Sequence, residues 1–162
     1  MSDQERGAKI ESYGQAFGLL KTAMDRFPKE CWNYRPAADR WTIQEIIIHI
    51  TDSEANSYVR CRRFISEPGR DLMDYDENKW AKDLNYGEQS TQVSLELFRW
   101  LRRSCYDLIK TLPDEVWSHE ANHPENGTMT MDDWLDTYES HVRDHIAQME
   151  ENYQHWKEYG NN

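Results

Sequence analysis

The chain has 162 residues, 38% hydrophobic side chains and a mean hydropathy of −1.00, which suits one domain with one core and long polar faces. A formal net charge of −11 excludes the basic surface that phosphate neutralisation on nucleic acid or docking on anionic lipid requires. The longest apolar run is Ile46 to Ile48, far too short to span a bilayer, so the expectation is no membrane association and a small-molecule or protein partner.

Four segments carry helical periodicity. The first runs roughly over 4–27, with Ile10, Tyr13, Phe17, Leu20, Met24 and Phe27 at steps of three or four. The second runs roughly over 43–66 and opens on Thr42-x-x-Glu45, a capping box in which each side chain bonds an orphan backbone N–H. The third runs roughly over 91–112, with Leu95, Phe98, Leu101, Leu108 and Leu112. The fourth runs roughly over 131–157 behind Thr130 as N-cap, with Asp132 and Asp133 favourable in its first turn. No alternating β-branched run reaches five residues, so the fold class is all-α.

The third segment repeats the first at a shift of 85 residues. Ile10 falls on Leu95, Tyr13 on Phe98, Met24 on Ile109, and Pro28-x-Glu30-x-Trp32 on Pro113-x-Glu115-x-Trp117. A loop and a Thr-capped helix follow in each half. Two related helix–loop–helix halves make one four-helix-bundle domain over residues 1–162. The links, roughly 28–41, 67–90 and 113–129, are longer than up-and-down bundles use, and long ordered loops often roof a site.

The stretch SHEANHPENG, residues 118–127, contains His-Glu-x-x-His, the zinc motif of many metalloproteases. That chemistry needs a helix, because only there do histidines four apart share a face. Pro124 directly follows His123 and biases it away from helix. The segment reads as a polar loop.

The fourth helix carries a better pair. His141 and His145 lie on the row Trp134, Tyr138, His141, His145, Met149. The second helix adds His49, on the row Ile46, His49, Ser53, Asn56, Arg60, which starts apolar and turns polar. Inward histidines are either core residues bonded to a neighbour or ligands, and two on one face favour ligands. Three neutral imidazoles can hold Zn²⁺ or Ni²⁺ and leave a position open for water or substrate. Asp52, one turn beyond His49, is a candidate base or orienting group. Glu54 lies off that row and reads as solvated. Arg60 and Arg63 either bind a substrate carboxylate or form surface ion pairs, and Tyr75, Asn78 and Trp80 are candidates for the mouth of the site.

Cys31, Cys61 and Cys105 form no Cys-x-x-Cys pair and are odd in number, which speaks against a disulfide framework and for a reducing compartment. The N-terminus MSDQERGAKIE has no apolar stretch of signal-peptide type, and the expected location is the cytoplasm.

The segments WTIQEIIIHITDSE, YDENKWAKDLNY and LPDEVWSHEANHPENGTMTMDDWLDTYESHVRDHIAQM, in this order and spacing, resemble the DinB/YfiT-like superfamily of small metal-binding four-helix bundles. The resemblance implies unusual helix connectivity, frequent homodimers, and Zn²⁺ or Ni²⁺ on His49, His141 and His145. It implies either transfer of a low-molecular-weight thiol or metal-dependent hydrolysis. The competing expectation is a non-catalytic metal-binding or dimerisation module.

Overall fold

The computed structural model describes residues 1–160. Four long helices form the body: α1 (Asp3–Met24), α2 (Ile43–Ser66), α4 (Thr91–Ile109) and α5 (Met131–Tyr159), with a short α3 (Glu77–Asp83) between the second and third of them. The all-α expectation holds for this body. The departure is a small hairpin, β1 (Glu120–His123) with β2 (Gly127–Thr130), paired antiparallel with His123 opposite Gly127. Four-residue strands carry too few positions to show a period. The turn is signalled instead by Gly127, whose φ of 72° lies in the left-handed region.

The capping boxes form where their residues stand. Thr42 accepts from the Glu45 N–H while Glu45 reaches back to the Thr42 N–H, and Thr130 and Asp133 do the same for α5. A third box, Ser2 with Glu5, starts α1 two residues from the chain's first methionine. Each cap contributes about 1 kcal/mol. The two halves also match in detail. Pro28 and Pro113 each precede a short 3₁₀ turn, Lys29–Cys31 and Asp114–Ser118, and so stop α1 and α4 at equivalent places. These stops shorten the expected helices, which end at Met24 and Ile109.

Within each helix–loop–helix half the two helices do not pack side by side. The main interfaces are α2–α4, α1–α5, α2–α5 and α1–α4, so α1 lies diagonal to α2, and α4 to α5. Side-chain pairs give the directions. Arg6 with Asp132 and Arg26 with Glu150 set α1 parallel to α5. Thr51 with Ser94 and Arg62 with Ser104 set α2 parallel to α4. Ser53 with His141 and Trp134 with Ser57 set α2 antiparallel to α5.

This arrangement explains the long links. A parallel neighbour can be reached only by returning the length of the helix, and the 24 residues of α2 span about 36 Å. Residues 67–90 make that return. Leu72 bonds Asn122 near the C-terminal end of α2, Tyr86 bonds Asp52 midway, and Gly87 accepts from Gln44 at its start. The segment therefore crosses the middle of the bundle, where His49 lies.

The core is apolar at both ends and polar in the middle. One apolar cluster gathers Leu20, Phe27, Ile43, Ile47 and Met149, and another gathers Tyr13, Phe64, Trp134 and Leu135. The three cysteines are free and buried. Glu54 corrects the sequence expectation of a solvated residue. It is 1% exposed, accepts from Arg102 Nη2 at 2.5 Å and from the Tyr13 hydroxyl at 2.8 Å. Arg102 comes from α4 and places its guanidinium carbon over the Tyr13 ring, 3.8 Å from its centre. A buried charge persists only when paired and hydrogen-bonded, and this pair is both.

Candidate metal centre

α2 and α5 bring His49, His141 and His145 together, with one ring nitrogen from each within 4.8 Å of the others. On α5 the i, i+4 spacing stacks His141 and His145 one above the other, Nε2 to Nε2 at 3.1 Å. His49 enters from the antiparallel α2, with ring centres 5.4 Å from His141 and 4.7 Å from His145. Trp41 covers His49 at 4.6 Å, and its own position is held by Asn152, which donates to the Trp41 carbonyl at 2.7 Å.

Burial lowers all three imidazole pKa values. His49 falls to about 3, through desolvation first and the neighbouring His145 second. His141 falls well below the ordinary range for the same first reason, helped by both other histidines. His145 is lowered by burial, against the opposing effect of the hydrogen bond it donates to Gln148. All three are neutral at physiological pH, the state in which imidazole donates a lone pair.

The hydrogen-bond inventory tests whether a cation fits. His49 is fully buried, and neither of its ring nitrogens has a partner. Buried polar atoms are nearly always paired, so an orphaned imidazole needs an explanation, and a bound ion supplies one. The Nδ1 of His145 lies 2.8 Å from Gln148 Oε1. A carbonyl oxygen accepts only, so Nδ1 carries the proton and Nε2 presents its lone pair to His141 and His49. Two nitrogens held tetrahedrally about 2.0–2.1 Å from a zinc ion stand about 3.3 Å apart. The separation between His141 and His145 is close to that. These three residues fit a divalent cation.

The centre opens on a cleft of about 270 Å³ lined by Trp41, Glu77, Asn78, His145, Gln148 and Asn152. A wider groove of about 1170 Å³, lined from α1, α4 and α5, contains none of the histidines. Its size does not bring it near the polar chemistry. Glu77 at the cleft has its pKa raised, chiefly by burial and then by Glu125.

The other candidates divide. Asn78 lines the cleft with His145. Trp80 packs on Tyr75, ring centres 4.4 Å apart, and on the small cluster of Ile48, Ala81 and Tyr86. Asp52 accepts from the Tyr86 hydroxyl at 2.6 Å, which ties the returning segment to α2. Arg60 donates to the Met73 carbonyl and, at 3.0 Å, to the Tyr138 hydroxyl, and Arg63 donates to the Asp71 carbonyl. Both arginines thus hold the roof segment.

Sequence reasoning missed Trp41, Glu77 and Gln148. Gln148 was within reach as the residue one turn beyond His145, but Trp41 and Glu77 come from links whose path has no period to read. The His-Glu-x-x-His motif lies elsewhere. His119 contacts the Phe64 carbonyl through Nδ1 at 2.9 Å, and His123 accepts from the backbone of Glu125 and Asn126 within its own turn. The two histidines sit on an extended segment with separate structural duties.

Fold and site together define a helical bundle with a buried three-histidine centre beneath a crossover segment. A family model described as the DinB superfamily matches residues 13–149, and the chain belongs to that superfamily. It is 28% identical over 129 residues to a protein of Oceanobacillus iheyensis named "Putative metal-dependent hydrolase", covering 80% of this chain and 74% of that one. It is 31% identical over 107 residues to a Bacillus cereus protein of the same name, covering 66% of this chain and 61% of the relative's length. Among solved structures, YfiT from Bacillus subtilis superposes with a TM-score of 0.88 over 99% of this chain and 90% of that one, at 24% identity. YfiT is described as a probable metal-dependent hydrolase with an unusual four-helix bundle topology. At that identity the likeness establishes the fold, in which α1 lies diagonal to α2 and α4 to α5.

Proposed function

We propose that this chain is a metal-dependent enzyme whose His49, His141 and His145 hold one divalent cation, Zn²⁺ or Ni²⁺, and that it transfers a low-molecular-weight thiol to a small electrophile. The observation that carries the metal assignment is His49, fully buried with both ring nitrogens unpartnered, facing two further neutral imidazoles. Bound there, the cation supplies Lewis acidity that lowers the pKa of a thiol or water within its reach.

The choice of thiol rests on the carboxylates of α2. Held by the cation, a thiol is deprotonated outright, whereas bound water ionises only at about pH 7 and its attack gains from a neighbouring general base. Glu54 is consumed by Arg102 and Tyr13, and one oxygen of Asp52 by Tyr86. Asn78 and Gln148 offer amides at the cleft to orient a polar substrate. Trp41 shields His49 from bulk water.

Glu77 favours a second reading, hydrolysis. Glu77 lines the cleft with His145, and its pKa is raised, in the direction that suits a general base. The names of the relatives agree with that reading.

The test is metal content by mass spectrometry on wild type, His49→Ala and His119→Ala, followed by turnover with cysteine and other small thiols. Near-stoichiometric zinc or nickel lost only with His49, and thiol-dependent consumption of an electrophile, support the proposal. Ester or amide cleavage without thiol selects hydrolysis. Protein that takes up no metal after reloading refutes both.

Homodimer formation and a cytoplasmic location belong to the same proposal. Val93, Leu97 and Trp100 leave an exposed apolar stripe along α4 that a second copy would cover, and sedimentation of wild type beside Trp100→Glu tests it. No described helix is long and apolar enough to cross a membrane.

A further inference from the structure

The acid excess of the chain is reversed along one groove, the open one of about 1170 Å³ walled by α1, α4 and α5. Five of the chain's 19 basic residues line it, against one of its 30 acidic residues, so its surface is positive on a protein of net charge −11. Arg102 is spent on Glu54, and Arg143 on Glu139 and Ser12. Arg26 and Arg99 are not spent. The carboxylates beside them, Glu150 and Glu96, stand 3.7 and 3.6 Å away, beyond hydrogen-bond range, and both arginines are about half exposed. Much of the remaining lining is apolar. Leu19 and Trp100 are exposed, and the Arg99 guanidinium carbon lies 5.2 Å from the Trp100 ring centre and 5.6 Å from that of Phe17. Gly18 leaves space on the α1 side. A glycine inside a helix costs about 1 kcal/mol relative to alanine. Gly14, one turn earlier, has a packing reason, since a Cβ there would stand 2.6 Å from the Tyr106 ring. A Cβ on Gly18 would meet nothing within 4 Å, so no neighbour in the chain requires this glycine, and its effect is to keep the groove open.

We propose that this groove is a second binding site, for an amphipathic anion: a small molecule whose carboxylate or phosphate is drawn by Arg26 and Arg99 and whose apolar body lies on Phe17, Leu19 and Trp100. The guanidinium fork matches either head group, and an anion placed there gains charge-assisted hydrogen bonds that the loose surface pairs with Glu150 and Glu96 do not make. Exposed pairs of that kind contribute little, so a ligand displaces them at small cost. The volume is of the order of small-molecule sites, which run to about 1,000 Å³. Charge sets the occupant apart from a cationic or neutral one, and Val93 and Leu97, which face a second copy in the dimer proposed above, lie outside the lining. None of the histidines lines the groove, so the site is independent of the metal-centred reading.

The probe is anilinonaphthalene sulfonate, an aromatic body with one anionic group, titrated by fluorescence into the whole zinc-loaded chain. Phenylnaphthylamine, the same rings without the charge, is the control. Wild type binds the sulfonate, and dodecanoate or dodecyl phosphate below its micelle concentration displaces it, the stronger competitor identifying the head group. Arg26→Gln with Arg99→Gln weakens the sulfonate about 10- to 100-fold and leaves the neutral amine unchanged, as the loss of charge-assisted hydrogen bonds requires. Gly18→Leu fills the groove and weakens both probes about 10-fold, while its unfolding midpoint stays at or above wild type because a poor helix former gives way to a good one. Zinc content is the same in all three proteins. Sulfonate binding that Gly18→Leu leaves intact, equal loss of sulfonate and amine in the arginine variant, displacement by neither amphiphile, or no binding to wild type, including a wild type whose groove a second copy closes, overturns the assignment.

Discussion

Replacing His49 by Leu separates the demands of folding from those of metal binding. In the metal-free protein His49 contributes two buried, unpartnered nitrogens, one a donor and one an acceptor. Each such group costs about 1–3 kcal/mol. Leucine fills a similar volume and carries neither, and the loss of the aromatic contact with Trp41 offsets about 1 kcal/mol of the gain. Metal-free His49→Leu is therefore more stable than metal-free wild type by about 1–5 kcal/mol, with about 2–4 °C in Tm for each kcal/mol. Zinc at a hundred times its Kd stabilises wild type by about 2.7 kcal/mol and leaves the variant unmoved. The assay is urea unfolding of chelator-treated protein with and without added zinc. A metal-free variant less stable than wild type would show that the His49 nitrogens are satisfied and that its packing dominates. Equal stabilisation of both proteins by zinc would show that His49 is no ligand.

Three further outcomes follow from the same geometry. Arg102→Ala strands the buried Glu54 carboxylate and lowers stability by about 3–5 kcal/mol, whereas the double change Arg102→Met with Glu54→Leu costs far less, as guanidinium denaturation will show. Gln148→Leu frees the tautomer of His145 and weakens zinc affinity about 10- to 100-fold in chelator competition, with little change in the fold. Metal-free protein loses stability as pH falls. Unfolded imidazoles titrate near 6.5, while folded His49 is held at about 3 and His141 and His145 are also lowered, so within that window the unfolded chain binds protons that the folded chain does not. The slope is about 1.4 kcal/mol per pH unit for each such proton, and it is shallower in His49→Leu. Urea midpoints that stay flat between pH 6.5 and 4 would contradict the burial of these neutral rings.

The sequence by itself determined what depends on near neighbours along the chain. Thr42 with Glu45 and Thr130 with Asp133 are three residues apart, so the starts of α2 and α5 were legible. His141 and His145 are four apart, so their common face was legible once the helix was. Pro124 ruled a helix out of the loop motif for the same local reason. Only the tertiary structure decided what depends on partners far away in sequence. Glu54 sits off the His49 row on α2, yet it is buried because Arg102 arrives from α4, 48 residues on. The diagonal placing of α1 to α2 and of α4 to α5 follows from which faces pack, and periodicity names a face without naming its partner. That placing sends residues 67–90 back along the bundle, where Tyr86 fastens to Asp52 and Tyr75 packs on Trp80. Local chemistry could nominate three ligands, but the roof above them exists only because two parallel helices need a long return between them.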